Sequence, residues 1–243
     1  LVTLELSSCH LGGDLSPDIC NLSNLNWLDL GFANLTGELP EHFELLMDHL
    51  NICDLGHNQL CGDIPEAVRK HPKWRQFWTS IIDGNQFNIT YKDIPSPSFS
   101  EMDVFGNLIQ SDVEYENNTY TIIYQYDVDM FPFISSAVYP CNKMYALYEA
   151  YNKFGVEILM FNGVGWENEV REFILENDIP WPVLCYPPFG MAAIPNVTIV
   201  DKNKEVVFST ILDDEITPFS DILAFFEEKF PDEKYSTSDY SQD

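Results

Sequence analysis

Three segments of this chain superpose without gaps: Leu1-Val2-Thr3-Leu4-Glu5-Leu6, Leu25-Asn26-Trp27-Leu28-Asp29-Leu30 and Leu50-Asn51-Ile52-Cys53-Asp54-Leu55. Their periods are 24 and 25 residues. Each runs on into a second matching stretch: Leu11-Gly12-Gly13-Asp14-Leu15, Leu35-Thr36-Gly37-Glu38-Leu39-Pro40 and Leu60-Cys61-Gly62-Asp63-Ile64-Pro65. Two sub-patterns recurring in phase at this period imply stacked supersecondary units. In a strand, alternate side chains point to opposite sides, so the leucines of Leu-x-x-Leu-x-Leu share one face. No single copy can bury that face; stacked copies share one continuous core.

The alternating positions that point away from the core form columns: Thr3, Trp27 and Ile52; then Glu5, Asp29 and Asp54; then Ser8, Phe32 and His57. These are the expected binding face. Trp27, Phe32 and Ile52 are its apolar anchors, Asp29 and Asp54 its charges, with His57 alongside. Stacked strands lie about 4.8 Å apart, so the acidic column opposes folding unless it is solvated or matched by a cation. The turn after each strand holds Cys9, Ala33 and Asn58, of which only Asn58 can donate amide hydrogen bonds to bare backbone carbonyls. Cys9 and Cys53 read as core residues, because a buried thiol behaves as a small hydrophobe.

The double pattern is the leucine-rich repeat signature, and the Gly-x-Leu/Ile-Pro half resembles the plant-type class, in which Pro and Gly shape the convex side. The resemblance covers residues 1 to about 70. The aromatic run Pro72-Lys73-Trp74-Arg75-Gln76-Phe77-Trp78 then suits a terminal cap, and Ile94-Pro95-Ser96-Pro97-Ser98 a stiff linker. Residues 1–94 are thus expected to be a short solenoid with its cap and linker.

From residue 99 the pattern changes to β, β, α, β, α, β, β, α. Residues 120–126 and 156–161 read as apolar strands, 141–154 and 166–176 as helices, and 183–185 as a short strand. Residues 196–200 and 205–209 form a hairpin about Asp201-Lys202-Asn203-Lys204, and 216–230 an amphipathic helix. With Ile194-Pro195 opening a strand that ends in Asp201, this order resembles the thioredoxin-like fold of secreted disulfide reductases and peroxiredoxins. Residues 95–231 are expected to be that domain and 232–243 a disordered tail.

The resemblance implies a redox motif at Ser136-Ala137-Val138-Tyr139-Pro140-Cys141 and a cis proline at Pro195 facing it. Laid on the family's Trp-Cys-Gly-Pro-Cys, Val138 takes the attacking-cysteine position and only Cys141 remains. Thiol exchange needs an exposed thiolate and a second thiol, and Val138 supplies neither. Cys141 near a helix N-terminus could still act as a one-cysteine centre. Cys185 reads as part of a loop.

Composition excludes other classes. Twelve Lys and Arg against 39 Asp and Glu give a net charge of −27, which repels nucleic acid and anionic membranes. Residues 1–94 carry 13 acids and 5 bases, residues 95–243 carry 26 and 7. No apolar run spans a bilayer, the six cysteines lack metal-ligand spacing, and no Gly-rich phosphate loop occurs. All five histidines lie in the repeats, so the second domain has no Cys-His or Ser-His pair. No metal and no cofactor is expected. The chain opens inside a repeat, which suggests a mature or truncated form.

The sequence therefore describes an α/β protein: a short leucine-rich repeat solenoid followed by a thioredoxin-like domain, similar to surface proteins of Bacteroides-type bacteria. Its expected role is non-catalytic interaction with a basic protein or peptide, in a secreted, periplasmic or cell-surface setting. The competing reading is a one-cysteine thiol oxidoreductase or peroxidase using Cys141.

Overall fold

The three recurring hexads form short strands, β1 (Thr3–Glu5), β2 (Trp27–Asp29) and β3 (Ile52–Asp54), joined in parallel in that order. Thr3 registers with Trp27 and Trp27 with Ile52; Glu5 registers with Asp29 and Asp29 with Asp54. Leu28 and Cys53, the middle residues of β2 and β3, are buried, as are Leu25, Leu30, Leu50 and Leu55 on either side. Leu1, at the position of Leu25 and Leu50, and Leu11, at that of Leu35 and Leu60, are exposed, where the described residues pack on one side of the first turn. The same asymmetry corrects the reading of Cys9: it is exposed, while Ala33 and Asn58 at the matching turn position are buried.

This computed structural model describes residues 1–126, 135–162, 167–185, 196–209 and 219–232. The chain divides into two compact units, Leu1–Pro95 and Ser96–Asp243.

In the first unit, short helices α1 (Phe43–Met47) and α2 (Glu66–Arg69) bury Phe43, Leu46, Met47 and Val68 in the same core as the strand leucines. The aromatic run becomes helix α3 (Trp74–Ile82), with Trp74, Phe77 and Ile81 buried. It covers the open edge of β3: the Leu55 amide donates to Ser80 O (2.9 Å), the His57 amide to Asp83 O (2.7 Å), and Ser80 Oγ to Cys53 O (2.6 Å). The chain then continues the stack, as β4 (Cys61–Gly62) pairs in parallel with β5 (Gln86–Phe87).

The second unit begins with an antiparallel hairpin, β6 (Ser100–Met102) and β7 (Leu108–Gln110), followed by helix α4 (Ser111–Asn117). Asp103 closes the hairpin turn by accepting from the amides of Phe105 (2.9 Å) and Asn107 (2.8 Å). Its main elements are β8 (Tyr120–Tyr126), α5 (Ser135–Tyr151), β9 (Val156–Asn162), α6 (Glu167–Glu176) and β10 (Val183–Cys185). After these come β11 (Asn196–Asp201), β12 (Val206–Ser209) and α7 (Phe219–Lys229).

The sheet order is β10-β9-β8-β11-β12. Strands β8, β9 and β10 are parallel, while β11 is antiparallel to β8 and β12 to β11. Ile122 to Tyr124 and Ile158 to Phe161 are continuously buried, as expected of central parallel strands covered on both faces. Tyr151 of α5 stacks on Phe226 of α7, with ring centroids 5.2 Å apart. The fold is mixed α/β, and no described helix is long and apolar enough to cross a membrane.

Candidate functional site

The strand register places the outward columns of the repeat unit side by side. Trp27 (40%) and Ile52 (39%) stay substantially exposed beside one another, although both are large and apolar. Phe32 is 56% exposed and stacks on His57, with centroids 4.3 Å apart and planes 15° from parallel. His57 Nε2 in turn lies 3.2 Å from Asp83 Oδ2. Phe32 and His57 hold left-handed backbone, with φ of 54° each. For a bulky residue such a conformation costs about 1–2 kcal/mol, and here it turns both rings outward from the end of the strand.

Between these apolar groups run Asp29 and Asp54, both half-buried. The two are register partners on adjacent strands, so their like charges oppose each other. Backbone donors offset this. Asp29 Oδ1 accepts from the Gly31 amide (3.2 Å) and Asp54 Oδ1 from the Gly56 amide (2.8 Å). A Cβ on Gly56 would come within 3.2 Å of Asp54 Oδ1, a tight approach, and one on Gly31 would touch the Asp54 carboxylate at 3.4 Å. Among the described residues, no cation pairs with either carboxylate.

The turns beneath this face are held by two asparagines. Asn58 accepts from the amides of Ala33 and Leu35 (3.0 Å each) and donates to Leu30 O and Leu55 O (2.9 Å each) and Gly56 O (3.3 Å). Asn85 repeats the device one turn on, accepting from the Leu60 amide (3.0 Å) and donating to Leu55 O (2.9 Å) and Ile81 O (2.8 Å). Sequence reasoning missed this fourth turn because α3 stands where a strand would. A signal was present: Asn58-Gln59-Leu60 recurs as Asn85-Gln86-Phe87.

In the second unit, topology gathers chain segments at one edge of the sheet. Strands β8, β9 and β10 end there with Tyr126, Asn162 and Cys185, which share a register. Strand β11 begins there, with Asn196 opposite Gln125. This is the edge outside the carboxyl ends of parallel strands, where open α/β sheets take ligands. Cys185 is therefore the half-buried last residue of the short strand read at 183–185, which lies at the edge of the sheet. Helix α5 starts at Ser135, ahead of Val138 and Cys141. The Cys141 side chain and Pro195 lie outside the described residues.

Glu157 of β9 and Glu114 of α4 are both half-buried. Burial pushes the carboxyl of each above its ordinary range, and the charge of Glu114 adds to the effect at Glu157. Burial likewise pushes the Cys53 thiol far up, with Asp54 adding to it. Among the described residues, no group of three or more His, Cys, Asp or Glu side chains is arranged to hold a metal.

Residues 1–22 match the leucine-rich repeat family model. No curated protein matches the chain. Among solved structures, a thioredoxin described as putative, from Neisseria meningitidis, is 15% identical at a TM-score of 0.46, covering 61% of this chain and 98% of that one. A thiol:disulfide interchange protein from Bacteroides sp. is 13% identical at 0.45, covering 60% and 95%. A thioredoxin-family interchange protein from Chlorobium tepidum is 15% identical at 0.44, covering 55% and 94%. The chain is thus similar to leucine-rich repeats at its start and to thioredoxin-like proteins over much of its length.

Proposed function

We propose that this chain is a non-catalytic interaction protein: a short leucine-rich repeat solenoid that binds a protein or peptide on its strand face, joined to a thioredoxin-like domain kept as a scaffold. The solenoid comprises residues 1–94, the scaffold 95–231, and the setting is the cell surface, periplasm or exterior. The observation that carries the reading is that Trp27 and Ile52, register partners on adjacent strands, and Phe32, just beyond the end of β2, are all exposed above a fully formed core. Large apolar residues held in the open on rigid strands are what an interface uses as anchors. Absence of the attacking thiol at Val138 supports a scaffold role for the second unit.

Turnover assays on the purified full chain test the non-catalytic half of this reading. Insulin disulfides and hydrogen peroxide should both go unconsumed. Turnover that disappears in Cys141→Ser would overturn it.

A second reading, a one-cysteine oxidoreductase, draws support from topology: α5 follows β8, and Pro195 precedes Asn196 at the same sheet edge. Rapid alkylation of native Cys141 near neutral pH, located by mass spectrometry, favours it; protection until denaturation leaves the scaffold.

A further inference from the structure

We infer, resting on the interaction role above, that the strand face of the repeat unit recognises an extended peptide presenting arginine. The guanidinium would sit at Asp29 and Asp54, with its plane against Phe32 and its neighbours on Trp27 and Ile52. Three observations meet here. Asp29 and Asp54 are register partners without a cation among the described residues, so the face carries uncompensated negative charge. Each carboxylate has one oxygen, Oδ1, held by a backbone amide, which orients the group and leaves Oδ2 to accept from a ligand. Exposed apolar surface flanks the charges on both sides: Trp27 and Ile52 on one, the Phe32–His57 stack on the other.

The combination discriminates between cations. A guanidinium is planar, donates several N–H bonds at fixed angles and stacks flat on an aromatic ring while doing so. An ammonium meets the carboxylates as a point charge and leaves the ring unused. A neutral peptide leaves two half-buried carboxylates facing an apolar ligand, which is costly. An extended ligand fits because the acids repeat from strand to strand along the face, at about 4.8 Å.

Fluorescence anisotropy of the full chain with three labelled octapeptides tests this. The peptides alternate leucine with arginine, with lysine, or with citrulline, the uncharged analogue of arginine. At about 0.15 M salt the arginine peptide should bind about tenfold tighter than the citrulline peptide and several-fold tighter than the lysine one. Asp29→Asn/Asp54→Asn should weaken it about tenfold, and Trp27→Ala and Phe32→Ala should each weaken it severalfold. Asparagine still accepts from Gly31 and Gly56, and urea midpoints confirm that each variant folds. Glu227→Gln/Glu228→Gln, which removes the same charge from α7, should leave binding unchanged.

An equal loss in that control would reduce the effect to net charge and overturn the inference. Equal binding of arginine and citrulline peptides, both abolished by Trp27→Ala, would overturn the arginine specificity while leaving the interaction role standing. Binding insensitive to every substitution on the face would overturn both.

Discussion

At the scale of single residues, Asn58 shows how much one polar side chain can decide. Its five hydrogen bonds close a turn inside an apolar core, where each abandoned backbone group costs about 1–3 kcal/mol. Asn58→Ala should therefore destabilise the first unit by roughly 3 kcal/mol or more in urea unfolding, and Asn58→Asp, which keeps the acceptor but loses both donors, should do no better. Its role was legible in advance because its position in the repeat is fixed. The Asp29 and Asp54 arrangement was only half legible: the column could be read, but not the glycine amides that make it tolerable.

Glu157 gives a pH signature. Its carboxyl is raised in the folded chain, so the native state prefers the protonated form. The stability it contributes is full below the ordinary glutamate value of about 4.3 and is lost as pH rises through the raised one. Glu157→Gln should therefore raise the urea midpoint at pH about 7, and the gain should vanish near pH 4.

At the scale of elements, α3 covers the edge of β3 and carries the stack into its next turn. It presents Trp74, Phe77 and Ile81 to the core, and Trp74 Nε1 donates to Asp93 O (2.7 Å). Asp93 is itself buried, with its carboxylate taken by the Thr90 amide and hydroxyl (2.8 and 2.6 Å). Phe77→Ala should cost about 3–5 kcal/mol in the melt of the first unit, as for other buried aromatic truncations. The aromatic run suggested a terminal cap; its helix stands where a strand would, and Asn85 starts a fourth turn after it.

Helix α5 was misjudged at its start: the hydrophobic period becomes readable only from Met144, while the backbone is helical from Ser135. Pro140 hid the earlier turns, since an interior proline normally argues against a helix. Helix α4 was invisible for another reason, since seven residues are too few to show a period. Its place in the unit is fixed by residues remote in sequence: buried Tyr115 donates its hydroxyl to Pro97 O (2.8 Å), and buried Ser111 Oγ accepts from the Phe99 amide (3.0 Å).

At the scale of the whole molecule, the charge of −27 works against compactness through self-repulsion. The second unit carries most of it, so its melting temperature should rise more than that of the first as salt increases from about 0.01 to 0.15 M. Calorimetry with salt titration checks this, and equal shifts would contradict it. The two cores share no residue, so residues 1–95 expressed alone should retain their cooperative melt.

The sequence by itself determined the repeat register, the columns on the strand face and the sheet elements of the second unit, because those follow from local periodicity that every copy or strand repeats. Tertiary structure alone decided how the carboxylates find backbone donors, that Cys9 faces solvent and that the strand ending in Cys185 lies at the sheet edge. Each of these depends on what packs alongside in space, and a linear pattern carries no record of its neighbours.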